Sequence, residues 1–188
     1  MKPPLKKDEW ARVLDFLPQG KQGMHRPEPV AQVVGEQYFS LLELILKEGT
    51  SLKVGDRVYI GDGKRDMVKY ISGRIEPAAL TVAAREELQN VLDTIIMENP
   101  QKFIDFFNKS GSVTTRMHAI ELIPGIGKKH LWAIIEERKA GPFKDLADIK
   151  KRVPLLSDVR KMVIKRILDE MDDKDRYRIF VPKMEARR

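Results

Sequence analysis

The sequence predicts an α+β fold, with a small β-barrel in the N-terminal part followed by a helical domain. Three observations carry this expectation. Residues 8–80 hold several short stretches in which apolar and polar side chains alternate with period two, as half-buried strands do. From Thr81 onward the apolar residues recur at three- and four-residue spacing, the period of a helix buried on one side. The chain of 188 residues, 42% hydrophobic and 34% charged, has enough apolar side chains to form a core and contains no run of apolar residues long enough to span a membrane.

The strands are read in order. Trp10 to Leu17 and Val30 to Val34 supply two. Tyr38 to Leu46 is apolar enough for a buried helix, but it is short and its neighbours are strands, so a strand is expected. Val58 and Ile60 alternate with Arg57 and Tyr59, and Val68 and Tyr70 alternate with Lys69 and Ile71. Between them, Gly61 to Asp66 reads as a hairpin loop, because Asp-Gly supplies the positive φ angles of tight turns. Gly55-Asp56 marks another turn, and Gly73 within 67–76 suggests a bulge or barrel bend. Several short strands in so few residues fit a small closed sheet such as an OB-like β-barrel over residues 1–80.

The helices follow. Leu88, Val91, Leu92, Ile95 and Ile96 define one, with Thr81 as its cap and Asn99-Pro100 as its end. Lys102 to Asn108 makes a second, with Phe103, Phe106 and Phe107 on its core side. Ser110-Gly111-Ser112 breaks the pattern and closes a helical linker over 81–112. Further helices are expected at 113–122, 128–139, 143–152 and 158–171, forming a domain over 113–175. Arg176 to Val181 alternates again and reads as a final strand. Residues 176–188 then comprise that strand and a basic tail.

Charge is unevenly distributed. The formal net charge is +7. Residues 1–84 hold 13 basic and 11 acidic groups, residues 85–112 hold 3 and 5, and residues 113–188 hold 19 and 12. The excess therefore lies in the last segment. Such a surface attracts phosphate backbones by counterion release, although a solvated helical face has the same composition.

A motif separates the two readings. Residues 122–131 read Leu-Ile-Pro-Gly-Ile-Gly-Lys-Lys-His-Leu. Pro124 stops a preceding helix. Gly125 and Gly127 lack a Cβ, so the chain turns tightly and the backbone can approach a ligand. Ile126 points into the junction. An amphipathic helix bearing Leu131, Ile134 and Ile135 follows. The pattern looks like a helix-hairpin-helix. Amides at Gly125, Gly127 and Lys128 lie where free N–H groups and the helix dipole favour a phosphate oxygen, and Lys128 and Lys129 add charge there. Gly125, Ile126, Gly127, Lys128 and Lys129 are thus the candidate phosphate-binding residues. Such a grip reads backbone and not base edges. A hairpin kept only for packing is the structural alternative.

Glu137 to Ile149 resembles the connector of tandem helix-hairpin-helix domains in DNA-binding and DNA-repair proteins. Gly141 closes one helix, and Phe143 and Leu146 anchor the next. At the place of a second hairpin stands Val153-Pro154-Leu155-Leu156-Ser157-Asp158, which keeps the proline and loses the glycines. This second hairpin is therefore expected to be degenerate and structural, with Arg160, Lys161, Lys165 and Arg166 near enough to reach phosphate at longer range.

The combination of a small barrel carrying Lys53-Val54-Gly55-Asp56-Arg57-Val58-Tyr59-Ile60-Gly61, then helices, then one intact hairpin, resembles DUF655 across nearly the whole chain. That is a family of uncharacterised archaeal proteins predicted to bind nucleic acid, most often RNA. The resemblance implies a cytoplasmic protein that binds nucleic acid, RNA in preference to DNA, in translation or rRNA processing. It assigns no reaction.

On the barrel, Arg57, Tyr59, Lys64, Arg65, Lys69 and Tyr70 are additional candidate contacts, because OB-type surfaces combine basic and aromatic side chains to track backbone and stack bases. The same tyrosines are equally suited to barrel packing. No catalytic residue, metal site or cofactor is expected. With no cysteine, thiol nucleophiles, disulfides and zinc–thiolate sites are excluded, and His25, His118 and His130 share no ligand spacing. Asp148 stands near the position of the catalytic Asp in helix-hairpin-helix glycosylases, but its surroundings match the tandem connector better. Met1 to Lys7 has no apolar segment behind its charges and is not read as a secretory signal. The rival function is a protein–protein adaptor on ribosomal or repair machinery.

Overall fold

The structure is a computed structural model that describes residues 7–21, 23, 27–173 and 175–183. Its strands are β1 (Trp10–Leu17), β2 (Val30–Gly35), β3 (Leu41–Leu46), β4 (Arg57–Tyr59), β5 (Val68–Arg74), β6 (Ser112–Thr114) and β7 (Met117–His118). Its α-helices are α1 (Val82–Glu98), α2 (Gln101–Lys109), α3 (Lys128–Ala140), α4 (Leu146–Arg152) and α5 (Val159–Met171). The described residues fall into two compact units. One runs through Val91 and adds Met171–Asp173 and the residues from Phe180; the other comprises Leu92–Glu170 and the segment up to Ile179.

In the first unit, β1 to β5 form one antiparallel sheet in the order β4-β1-β2-β3-β5, curled into a half-barrel. Alternate side chains meet inside it: Ala11 and Val13, Ala31 and Val33, Leu42, Leu44 and Leu46, closed by Leu52, Val58, Ile60 and Val68. The pairing of β3 with β5 shifts register beside Gly73, as the bulge reading expects. The central strand β2 is buried along its whole length. On it, Gln32 is fully buried, donates to the Ala79 carbonyl (3.1 Å) and accepts from the Thr81 amide (2.8 Å). Thr81 caps α1 by accepting from the Ala84 amide (3.0 Å) and donates to Asp15 (2.7 Å).

Three sequence expectations are corrected. Residues 61–66 do not link paired strands: β4 pairs with β1 and β5 with β3, on opposite edges of the sheet. Gly61 and Gly63 are needed for space and not for positive φ, since a Cβ on either would lie 2.5 or 2.9 Å from the Tyr59 hydroxyl.

Residues 113–122 are not an α-helix. The β-branched run Val113-Thr114-Thr115 turns into the β6–β7 pair, and only Ala119–Leu122 winds into a single 3₁₀ turn before Pro124. Arg176 to Val181 is not a strand. The Tyr177 carbonyl is taken by Arg166, and the Ile179 amide donates to Glu170 (2.7 Å), so these backbone groups bond to α5 side chains and not to a neighbouring strand. The basic tail beyond Lys183 and His25 lie outside the described residues. No helix of the described residues is long and apolar enough to cross a membrane.

Candidate functional site

The site is built upward from His118. Its Nδ1 accepts from the Ile120 amide (3.2 Å), and the Glu121 carboxylate accepts from the His118 amide (2.8 Å). This reciprocal pair is a capping box that starts the 3₁₀ turn at Ala119. Burial and the charge of Arg138 hold His118 below the ordinary histidine range, which keeps Nδ1 free to accept.

Ile123-Pro124-Gly125-Ile126 then makes a β-turn closed by the Ile126 amide on the Ile123 carbonyl (3.1 Å). Proline in the second place and a third residue with φ +89° are the marks of a type II turn. Ile123 and Ile126 are buried at its two ends. Below it lies α5, with the Met162 methyl 3.3 Å from where a Gly125 Cβ would stand.

Gly127 is the N-cap of α3. Its carbonyl accepts from Leu131 (2.9 Å), and no side chain caps the first turn. The first amides of a helix have no partner within it. Here Gly127, Lys128 and Lys129 are exposed, so those amides open to solvent. Gly127 has extended backbone and nothing within 4 Å of an added Cβ.

The charges differ from the sequence expectation in one respect. Lys128 turns back, donating to Glu121 (2.9 Å) and the Arg116 carbonyl (3.1 Å). Glu121 is held below the usual carboxylate range by the His118 amide and by Lys128. Lys129 is exposed and pairs with no acidic group among the described residues.

The Val153–Leu156 turn is closed by the same hydrogen bond as the first, with the Leu156 amide on the Val153 carbonyl (3.1 Å) and Leu156 buried, but it is not of type II. Leu155, where the first turn has Gly125, has no positive φ. The helix that follows is closed. Asp158 accepts from the amides of Arg160 (3.0 Å) and Lys161 (3.2 Å), occupying the donors that α3 leaves open. Arg160 pairs with Asp93 (2.9 Å). Arg166 is buried with Glu170 (2.8 Å) and Asp175 (2.6 Å). Lys161 and Lys165 face solvent.

The half-barrel candidates divide between two edges. On β4, Arg57 lies 4.2 Å over the Trp10 ring and is bonded to Glu36 (2.8 Å). Tyr59 meets Trp10 edge-on at 5.1 Å, and its hydroxyl accepts from the Gly63 amide (3.1 Å). On β5, Lys69 pairs with Glu28, which raises its pKa, and Tyr70 is 45% exposed. Arg65 donates to the Gly61 carbonyl (2.8 Å), and Lys64 is exposed. Arg57 and Tyr59 thus serve internal packing, while Lys64 and Tyr70 remain available.

Trp132, one turn into α3, was not singled out by the sequence reading, although 59% of it is exposed. The signal was present: Leu131 and Ile134 mark the buried stripe of α3, and Trp132 falls off it. Among the described residues no group of three His, Asp or Glu side chains could hold a metal ion.

Two known proteins are similar over nearly the whole chain. The uncharacterized protein MJ0038 of Methanocaldococcus jannaschii is 39% identical over 181 residues, spanning 95% of this chain and 82% of that protein. The crystal structure of Af1531 from Archaeoglobus fulgidus superposes with a TM-score of 0.86 at 46% identity, over 93% of this chain and all of that one. The model of a family described as a protein of unknown function, DUF655, matches residues 7–182. The chain therefore belongs to the DUF655 family.

Proposed function

We propose that this protein binds nucleic acid without catalysing a reaction, holding a backbone phosphate at the open start of α3. One contrast carries the reading. Two four-residue turns, each with proline in second place and closed by a hydrogen bond from its fourth amide to its first carbonyl, lead into a helix. The second helix is capped by its own Asp158, whereas the first begins at a bare glycine with exposed amides. A phosphate oxygen is the ligand such amides suit, through hydrogen bonding and the helix dipole.

The Ile123–Lys128 turn is read as the hairpin of a helix-hairpin-helix whose first arm is reduced to one 3₁₀ turn. The half-barrel is read as OB-like, a five-stranded and partly open barrel, with Lys64 and Tyr70 as secondary contacts. The favoured ligand is RNA over DNA, on the family resemblance, in a cytoplasmic role in translation or rRNA processing.

The test is filter binding to single- and double-stranded RNA and DNA at two salt concentrations. Few phosphate contacts predict a log–log salt slope of about −2 to −4 and little dependence on base sequence. Gly127→Val, whose side chain meets open space in the free protein, should keep the fold by circular dichroism and lose most binding. A folded variant that binds normally refutes the site.

The adaptor reading draws on the exposed Leu155 (62%) and Trp132. It predicts ribosomal or repair proteins retained in a pull-down after nuclease treatment.

A further inference from the structure

The chain has two tryptophans, and they are treated differently. Trp10 has Arg57 over its ring and meets Tyr59 edge-on. Trp132 is 59% exposed. An indole carries one of the largest apolar surfaces of any side chain, so leaving it open forgoes a large gain from burial. The packing of α3 does not require it there, because Leu131 and Ile134 make the buried stripe.

What surrounds Trp132 points to a partner. At about 100° per residue it projects between Lys128 and Lys129, roughly 40° from one and 60° from the other. Helical side chains lean toward the N-terminus, a tendency that directs residue 132 toward the first turn of α3. An exposed aromatic face one turn from open amides, with the exposed Lys129 beside it and Lys128 held by Glu121, complements a chain that carries a negative group and a flat apolar ring in each repeating unit. A purely apolar protein surface would be poorly matched by that cation.

We infer that Trp132 stacks on an unpaired base of the strand whose phosphate is held beside Gly127, which makes the site selective for single-stranded or bulged nucleic acid over continuous duplex. This rests on the phosphate-binding reading above. A base inside a duplex has both faces covered by its neighbours and cannot stack on a side chain unless it is extruded. Base–aromatic stacking tolerates any base, so selectivity is for an unpaired state and not for a sequence.

The experiment uses the full chain and two labelled probes, an oligouridine and a blunt-ended duplex of matched length, followed by fluorescence anisotropy. Trp132→Ala should weaken oligouridine binding by about 5- to 100-fold and leave duplex binding unchanged. Trp132→Phe should retain most of the affinity, and Gly127→Val should weaken both probes. In a Trp10→Phe background, oligouridine should quench the remaining indole emission.

Equal loss on both probes, no loss, or no quenching overturns the stacking role. If Gly127→Val weakens binding while Trp132→Ala does not, stacking alone falls. If the wild-type chain binds neither probe, the phosphate site falls and stacking with it. Trp132 is exposed, so its replacement is expected to leave the fold intact, and circular dichroism checks this for each variant.

Discussion

Gly125 and Gly127 stand two residues apart, and the structure gives them different reasons for being glycine. Gly125 has φ +89°, and an added Cβ would lie 3.3 Å from the Met162 methyl. An L-residue in that conformation costs about 1–2 kcal/mol. The Met162 methyl is the far end of a flexible side chain and can yield. Reduced freedom of the unfolded chain returns about 0.4–1 kcal/mol for a Gly→Ala change only where the native backbone is compatible, which it is not here. Gly125→Ala should therefore destabilise by about 1–2 kcal/mol.

Gly127 has φ −94° and ψ −180°, with open space around it. Alanine is a poorer N-cap than glycine by roughly 0.5–1 kcal/mol. The unfolded-state gain of about 0.4–1 kcal/mol offsets this, so Gly127→Ala should be close to neutral. At roughly 2–4 °C per kcal/mol for a chain of this size, thermal denaturation should separate the two variants clearly. Equal losses, or a larger loss at Gly127, would refute the assignment of Gly125 to the turn and Gly127 to ligand approach.

Two further predictions concern the charged clusters. Burial alone would raise the Glu36 carboxyl, but bonds from Arg57 and Arg12 outweigh it and hold the group below the ordinary value of 4.5. Its stabilising contribution is therefore complete above pH 4.5 and is lost as pH falls through the lower folded value. Thermal melts of wild type should decline more steeply below pH 4.5 than those of Glu36→Gln, and parallel profiles would contradict this. Glu170 is fully buried against Arg166 and accepts from the Ile179 amide. Glu170→Ala should cost about 3–5 kcal/mol in urea denaturation. The double change Arg166→Met with Glu170→Leu should recover much of that, and a double variant no better than the single one would count against coupling.

Much of the fold was legible because its signals are local. Val58, Ile60 and Val68 reach the sheet interior by the alternation visible in the sequence. Thr81 caps α1 as its hydroxyl and position require, and Pro124-Gly125 marked the turn. What was not legible depends on partners distant along the chain. Asp62-Gly63 has the local composition of a hairpin, but β4 and β5 are held apart because β1 and β3 take their hydrogen bonds. The 3₁₀ turn at Ala119 depends on which His118 nitrogen accepts and on Glu121 folding back. Arg176 to Val181 has strand-like alternation, yet its backbone is claimed by Arg166 and Glu170. In the candidate site, the turn and its glycines could be read, whereas the return of Lys128 to Glu121 and the closure of α5 by Asp158 could not.

The net charge shows the same limit and constrains the mechanism. Residues 113–188 hold nineteen basic groups, but several point inward at helix ends. Arg138 donates to the Phe107 and Ser110 carbonyls at the end of α2. Arg152 donates to the Glu137 and Gly141 carbonyls at the end of α3, and Arg178 to the Glu170 carbonyl in the last turn of α5. Cations there satisfy carbonyls that lack a helical partner and oppose the negative end of the dipole. Lys150 is spent on the second turn. Among the described residues, the exposed remainder near the two turns is small: Arg116, Lys129, Lys151, Lys161 and Lys165. A polyanion therefore meets a few lysines, and affinity must come mainly from directed amides. Neutral donors release no counterions of their own. A salt slope as shallow as −2 to −4 then follows from where the charges point, whereas a slope approaching the basic-residue count would mean that the surface, and not the turn, does the binding.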